Sequence, residues 1–590
     1  MEYRFDIANQ VLIFVVLSLS LNLLIGYAGQ VSLAHAAIAG IGGYAAAKLA
    51  IANGMDFVPS LVLATLMAAA AGAFLSVPAL RLTVQHLILL TLAAAVVLVT
   101  IANSTRDLGG AYGLVGMPVP SIFGKSLAKP SQFFWFLLCV SAICALLYWR
   151  LADSPYGRVL RALREDELAA RAVGKNVFVY KVQVFALASA MAGLMGALWA
   201  YYLRLASPVQ FNVTQSLLLV TMVIFGGMGS LLGPVVGAAL IVVSSPILEK
   251  NLDIGAEKAA LIRLVIYGAA LVVLMRLRPE GLIPEHFSFR RALARLGLPL
   301  PGAGAAAGQQ SPPPAAGAAD PAAPAGPGQP DAGIDIAART PVVTVEGLRK
   351  AFGGIVAVDG VDLALRERVV TGLVGPNGAG KTTLFNLLTG VIPPDGGTIR
   401  LKGKDITGMT PDAIARLGMA RSFQDVRLFL RMTVLENVML AYSRHPGEHL
   451  PLLLGAPLAT SRAERRAREL ALECLSFVGL VDKAGMLAGG LSFGEQKLVA
   501  IARLLATGAD VLLLDEPISG VDPQWVDRVA LVIRALPAQG KTVCVVEHNL
   551  YALGQLADHC YFMESGRITA EGSLQELMAD PRLIAAYFGA

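Results

Sequence analysis

The chain has 590 residues, of which 55% are apolar and 15% charged, and its mean hydropathy is +0.63. Soluble domains carry about 25% charged residues, so a chain this apolar hides much of itself in lipid and is excluded from the purely soluble classes. The net charge of +6 matches the basic bias that cytoplasmic loops need for membrane insertion, so no nucleic-acid partner is expected.

Apolar runs near the required length of about 20 residues fall at 7 to 26, 31 to 51, 57 to 80, 86 to 103, 133 to 152, 177 to 203 and 257 to 277. The first run reads as a span and not as a removable signal, because Glu2 and Asp6 flank a single Arg4 and the apolar pattern resumes after Ala34-His35-Ala36. The stretch Ser216 to Ser245 is too long for one span, and Gly226-Gly227-Met228-Gly229-Ser230 at its middle predicts two short helices around a break. Nine spans result, within a range of eight to ten. Five cysteines, Cys139, Cys144, Cys474, Cys544 and Cys560, form no C-x-x-C pair, which argues against a zinc site or a disulfide framework.

Arg150, Arg158, Arg161, Arg164, Arg171 and Lys175 cluster in one loop, and Arg276, Arg278, Arg290, Arg291 and Arg295 follow the last span. Both groups belong in the cytoplasm. Two cytoplasmic anchors need an even number of crossings between them, which the split at the glycines supplies. The loop from Ser104 to Gln132 then lies outside, as does the N-terminus on a nine-span count. In the first basic loop Ser154 suits a cap, Pro155 a first turn and Gly174 a stop, so a short charged helix is expected there, with a plain solvated loop as the alternative. Few ionisable residues lie within the spans. Gln30, Ser32 and His35 are the polar candidates for lining a path or for bonding helix to helix.

The composition divides the chain into a membrane part (1–290), a flexible Ala/Pro/Gly tether (291–341) and a soluble part (342–590). In the last, the β-branched runs Val342 to Val345, Val369 to Val374, Val511 to Leu514 and Thr542 to Val546 alternate with helical stretches, which predicts an α/β domain with a largely parallel sheet. The strand at Val369 to Val374 runs into Gly375-Pro376-Asn377-Gly378-Ala379-Gly380-Lys381-Thr382-Thr383, and an amphipathic helix follows. This is a P-loop in its required context. Its glycines let successive N–H groups face a phosphate, Lys381 supplies positive charge, and Thr382 offers a hydroxyl to magnesium, so a phosphate ligand with Mg2+ is expected. Further on, a buried strand delivers Asp515 and Glu516, placed to hold the magnesium shell and to polarise an attacking water respectively.

The P-loop, Ser422-Phe423-Gln424, Leu491-Ser492-Phe493-Gly494-Glu495-Gln496, Asp515-Glu516, Ser519-Gly520-Val521-Asp522 and His548 resemble, in order and spacing, the ATP-binding cassette of ABC transporters. That resemblance implies that Phe352 stacks on adenine and that Gln424 senses the metal and touches the membrane half. It further implies that His548 bonds the γ-phosphate and that Ser492 and Gly494 reach a nucleotide on a second cassette. Phe493 and Glu495 depart from the usual Leu-Ser-Gly-Gly-Gln.

The membrane part resembles the permease of branched-chain amino acid ABC importers through four segments: Gly26 to Ala36, Ser154 to Gly174, Gly226 to Pro234, and Arg278-Pro279-Glu280-Gly281-Leu282. The fold expected is therefore a polytopic α-helical membrane domain followed by a soluble α/β P-loop ATPase domain of the ABC type. The resemblance implies ATP-driven import across the bacterial inner membrane, with a periplasmic substrate-binding protein. The complement is a second permease and a second ATPase subunit, or an identical copy. Urea, short amides or aromatic acids are alternative cargoes. An exporter half-transporter, which has the same domain order, is disfavoured because the Arg81 to Gln85 turn is short, and a cassette-gated channel is a further alternative.

Overall fold

A computed structural model describes residues 2–79, 84–122, 124–252, 256–285, 336, 338–443 and 445–588. Most of the tether, Arg81 to Thr83, and Arg290, Arg291 and Arg295 lie outside the described residues. The chain divides into two compact units. One contains Met1–Arg164 and Phe178–Pro312, and the other contains Glu165–Val177 and Pro313–Ala590.

The first unit is helical: α1 (Glu2–Asn22), α2 (His35–Ala52), α3 (Phe57–Ala79), α4 (Val84–Ser104), α5 (Pro130–Ala152) and α6 (Pro155–Glu165) lead to the crossover into the second unit. After α7 (Glu167–Ala172), which belongs to that second unit, come α8 (Val177–Leu203), α9 (Val213–Gly226), α10 (Leu232–Leu252) and α11 (Ala256–Leu277). Among the described residues six helices are long and apolar enough to cross a membrane, and shorter apolar helices cover Val213–Gly226, Leu232–Ser244 and Val265–Leu277. The expected glycine break is present. α9 stops at Gly226, Gly227 takes φ +122°, and the Ser230 hydroxyl accepts the Gly233 N–H at 2.8 Å at the start of α10.

Helix α1 does not continue regularly to residue 26, as the apolar run suggested, but widens into a π-helical turn over Leu23–Tyr27. Asn22, fully buried, explains the local geometry: its side chain donates to Ser230 O at 2.9 Å and to the Tyr148 hydroxyl, and accepts the Gly229 N–H at 3.0 Å. An amide with three partners outside its own helix pulls that end of α1 toward the glycine break. His35 Nε2 lies 2.7 Å from Ser20 Oγ, a bond between helices. Among the described residues, Gln30 Oε1 and Ser32 Oγ are buried without a hydrogen-bond partner.

The single helix expected between Ser154 and Gly174 is two helices. Ser154 does cap the first, its hydroxyl accepting the Gly157 N–H at 3.2 Å. The break comes at Asp166, which leaves helical geometry at φ −154° and accepts the Ala169 N–H at 2.9 Å to start α7. Gly174, at φ +82°, ends α7.

In the second unit the strands are β1 (Pro341–Phe352), β2 (Ile355–Arg366), β3 (Val370–Val374), β4 (Gly396–Leu401), β5 (Lys404–Asp405), β6 (Met419–Arg421), β7 (Val511–Asp515), β8 (Thr542–Val546), β9 (His559–Glu564) and β10 (Arg567–Gly572). Strands β6-β7-β8-β3-β9-β10 form one sheet, parallel except for the β9–β10 pair. Every residue of β3, β7 and β8 is buried, as expected of strands covered on both faces. The run Val342 to Val345 lies instead in a separate antiparallel sheet of order β2-β1-β4-β5. The core between the two sheets includes Val343, Leu348, Leu365, Leu384, Phe385, Leu513 and Met563.

Candidate functional site: an ATP-binding cassette

Strand β3 ends at Val374 and helix α12 (Lys381–Leu388) begins seven residues later in the numbering, with the glycine loop between them. Leu384, Phe385, Leu387 and Leu388 bury the inner face of α12, which fixes its N-terminus at the loop. A Cβ on Gly375 would lie 2.0 Å from Met563 O, and one on Gly380, at φ +104°, 2.2 Å from Ala357 O. Only glycine fits at either position, and the loop's amides and the N-terminal end of α12 are thereby shaped for an anion. The Lys381 ammonium is held inside the loop, donating to Gly375 O at 2.6 Å and Pro376 O at 2.8 Å. Burial lowers its pKa, and the nearby carboxylates Glu516 and Asp515 oppose that shift. Asn377 and Gly378 are exposed on the loop, Thr382 is exposed in the first turn of α12, and Thr383 is half-buried.

At the C-terminal end of β7, Asp515 is 2% exposed and pairs with the Arg421 guanidinium at 2.7 Å. Glu516 takes φ +47°, a left-handed conformation that a non-glycine residue adopts only when its surroundings impose it. Those surroundings are specific. Its N–H donates to Val546 O at 2.9 Å, its Oε2 accepts from Gln424 Nε2 at 3.2 Å, and its Oε1 lies 2.9 Å from His548 Nε2. The fold thus brings together Gln424, Glu516 and His548, three residues far apart in the chain.

Helix α13 (Phe493–Ala506) carries the Leu-Ser-Phe-Gly-Glu-Gln segment at its start. Ser492 is its N-cap, and Glu495 returns a bond to the Ser492 N–H at 3.0 Å while pairing with Lys483. Glu and Gln are equivalent at this third position of a capping box, which accounts for Glu495 in place of Gln. Phe493 sits beneath the Lys497 ammonium, 5.3 Å from its ring centroid. A Cβ on Gly494 would lie 2.6 Å from Cγ of Trp525, in α14 (Pro523–Ala535). Gly494→Ala is therefore expected to cost about 1–3 kcal/mol by overpacking, read as a lower unfolding temperature together with reduced ATPase activity. Phe352 stands 45% exposed at the end of β1, beside the Lys350 ammonium at 5.5 Å.

Two residues of this site went unrecognised in the sequence. Lys497, 5% exposed, donates to Gln424 O at 3.1 Å and to Glu516 O at 2.8 Å, joining α13 to the end of β7. Arg421 lies between the Phe385 and Phe423 rings, at 5.4 and 5.3 Å from their centroids. Burial lowers the pKa of both cations. Only the position of Arg421 beside Ser422-Phe423-Gln424 hinted at its role.

Helix α7 and its flanks pack within this same unit. Asp166 pairs with Arg427 at 2.8 Å and Lys175 with Glu448 at 2.5 Å, and Arg416 donates to Gly174 O at 3.1 Å. Leu168 and Ala172 line a small apolar groove with Pro411, Ile414, Met419 and Phe423. The segment from Arg421 to Arg427 therefore touches Asp515 at one end and Asp166 at the other.

A phosphate cradle beside a strand ending in Asp-Glu, with a capped signature helix on the same domain, defines an ATP-hydrolysing cassette. Residues 3–275 match the family described as branched-chain amino acid transport system permease component, and residues 358–519 match the ABC transporter family. The high-affinity branched-chain amino acid transport ATP-binding protein BraF of Pseudomonas aeruginosa is 40% identical over 42% of this chain and 98% of its own. The corresponding protein LivG of Escherichia coli is 37% identical over 42% of this chain and 98% of its own. A solved nucleotide-free cassette from an ABC transporter is 34% identical over 42% of this chain and 100% of its own, with a TM-score of 0.38. The chain belongs to the branched-chain amino acid ABC transporter family, with a permease and its ATP-binding cassette on one polypeptide. It is a membrane protein whose soluble cassette binds ATP and couples its hydrolysis to transport, and it works with partner subunits.

Proposed function

We propose that this chain imports branched-chain amino acids across the bacterial inner membrane as half of an ABC transporter, with residues 1–290 as permease, 291–341 as tether and 342–590 as cassette. One observation carries the reading: a single polypeptide joins the permease family's residues to a cassette whose relatives are named for branched-chain amino acid transport. The other half is a second permease and a second ATPase subunit, or a second copy of this chain, and a periplasmic binding protein delivers the cargo.

The glycine cradle and the Lys381 charge fit a polyphosphate, and the Asp515 carboxylate with the Thr382 hydroxyl is an oxygen set suited to magnesium. In this reading Gly375, Asn377, Gly378, Gly380, Lys381, Thr382 and Thr383 hold the phosphates, and Phe352 offers its ring to adenine. Thr382, Gln424 and Asp515 hold Mg2+, which when bound offsets negative charge on the phosphoryl oxygens. Glu516 takes a proton from the attacking water, His548 orients Glu516 and reaches the γ-phosphate, and Gln424 links the site to α7. Ser492 and Gly494 face the partner cassette's nucleotide, so hydrolysis requires two cassettes.

The test is uptake by the assembled transporter in proteoliposomes supplied with binding protein. Labelled leucine, isoleucine and valine are expected to accumulate against a gradient only with MgATP, and excess urea should not compete. Equilibration without accumulation, or ATP-driven release, contradicts the reading.

A further inference from the structure

Four permease segments stand out in the sequence, and the ATP site uses none of them directly. In the fold three of them meet at one ion pair, and the fourth leads into its acidic member. Arg164 and Glu285 pair at 2.8 Å with each side chain 14% exposed, and Arg164 also donates to Gly26 O on the π-helical turn. From these contacts we infer that Arg164 and Glu285 form the joint through which cassette movement reaches the membrane path, as positioning residues for coupled transport. The inference rests on the import reading above.

The glycines around the pair are there to admit it. A Cβ on Gly29, at φ +66°, would lie 3.0 Å from Arg164 Cγ. One on Gly229 would lie 2.9 Å from Glu285 Cδ and 3.1 Å from Arg164 Nη1. The Gly229 amide is itself held by Asn22 at 3.0 Å. The chain after α11 is laced to the end of α9 by Leu282 N–H to Phe225 O at 3.1 Å and Ile283 N–H to Gly226 O at 2.9 Å. The ends of α1 and α9, the glycine break and the segment leading to Glu285 thus converge on one guanidinium. A planar fork with five donors serves several acceptors at fixed angles, which an ammonium does not.

The position of the pair along the chain distinguishes a joint from a simple brace. Arg164 is followed directly by Glu165, where the residues that pack with the ATPase begin. Asp166, Gly174 and Lys175 are gripped there by Arg427, Arg416 and Glu448. Displacement of α7 is therefore delivered through the backbone to Arg164 on one side and to Phe178, at the start of α8, on the other. A desolvated pair with directional bonds passes such a displacement on as a change of partner and not as a smooth deformation.

The test uses the assembled transporter in proteoliposomes, comparing the parent chain with Arg164→Gln, Glu285→Gln and the charge-exchanged pair Arg164→Glu/Glu285→Arg. ATP hydrolysed and leucine accumulated are measured in the same samples, and hydrogen exchange of residues 23–34 and 226–232 is followed with and without MgATP. For the single variants hydrolysis is expected to stay within about twofold of the parent while leucine moved per ATP falls at least about tenfold. The MgATP-induced change in exchange should vanish in them and return in part in the charge-exchanged pair. Arg164→Lys, which keeps the charge and loses the fork, carries the same test should Arg164→Gln not assemble. Unchanged leucine per ATP, or hydrolysis and uptake falling in proportion with the exchange response intact, overturns the inference. A parent that hydrolyses ATP without accumulating leucine removes the cargo assignment, and the exchange response then decides the joint.

Discussion

Glu516→Gln is expected to lower ATP hydrolysis by the assembled transporter by about 10²–10⁴-fold, the usual contribution of a general base, and to abolish uptake with it. The substitution removes the charge that accepts a proton while keeping the size of the side chain and one oxygen acceptor. The Glu516 N–H donates to Val546 O from the backbone, and the Lys497 ammonium donates to the carbonyls Glu516 O and Gln424 O, so none of these bonds uses the Glu516 side chain and the loop keeps its shape. Nucleotide binding should persist, because the glycine cradle and Lys381 are untouched. Phosphate release and retained labelled ATP, measured on the same preparation, check both halves of this expectation. Turnover within tenfold of the parent would show that another group takes the proton.

The second large effect is on stability. Arg421→Leu should destabilise the cassette by roughly 3–5 kcal/mol, because it strands Asp515 as an uncompensated charge in a site where both side chains are almost fully buried. At this domain size that corresponds to a fall of roughly 6–20 °C in the unfolding temperature. The double variant Arg421→Leu/Asp515→Asn should recover much of the loss, since the residues act as a coupled pair. Thermal unfolding followed in detergent measures all three proteins, and strictly additive losses would mean that the pair is not the source of the effect.

The parts of the cassette legible in the sequence are those whose chemistry is contiguous. The P-loop carries its strand, glycines, Lys381 and helix in one run, and Asp515-Glu516 follows directly on a β-branched run, so both are identifiable without any knowledge of packing. Arg421 and Lys497 were hidden because their partners, Asp515 and the carbonyls of Gln424 and Glu516, lie on other elements. Parallel pairing of β6 with β7 places Arg421 opposite Leu513 and so near Asp515. No local pattern encodes that register. Val342 to Val345 showed the same limit: its residues declare a strand, but its place in an antiparallel sheet depends on partners the sequence does not name.

In the membrane part, two basic loops and a rule of parity pointed to the break near Gly227. The break at Asp166 went unread, although its residue types carry a signal. An Asp followed three residues later by a free helical N–H competes with the helix that precedes it, and here the side chain wins. The π-helical turn at Leu23–Tyr27 had no local signature either, since it is drawn out by bonds that Asn22 makes to residues near 230.

Residues Glu165–Val177 lie in the permease stretch of the chain, yet by their contacts they are part of the ATPase's fold. A chimaera that exchanges cassettes between related transporters at the Ala/Pro/Gly tether would leave this piece of the donor's native packing behind. The interchangeable module is discontinuous in the gene: a faithful transplant must carry α7 with Asp166 and Lys175 along with the C-terminal domain, or rebuild Arg427 and Glu448 to suit the host.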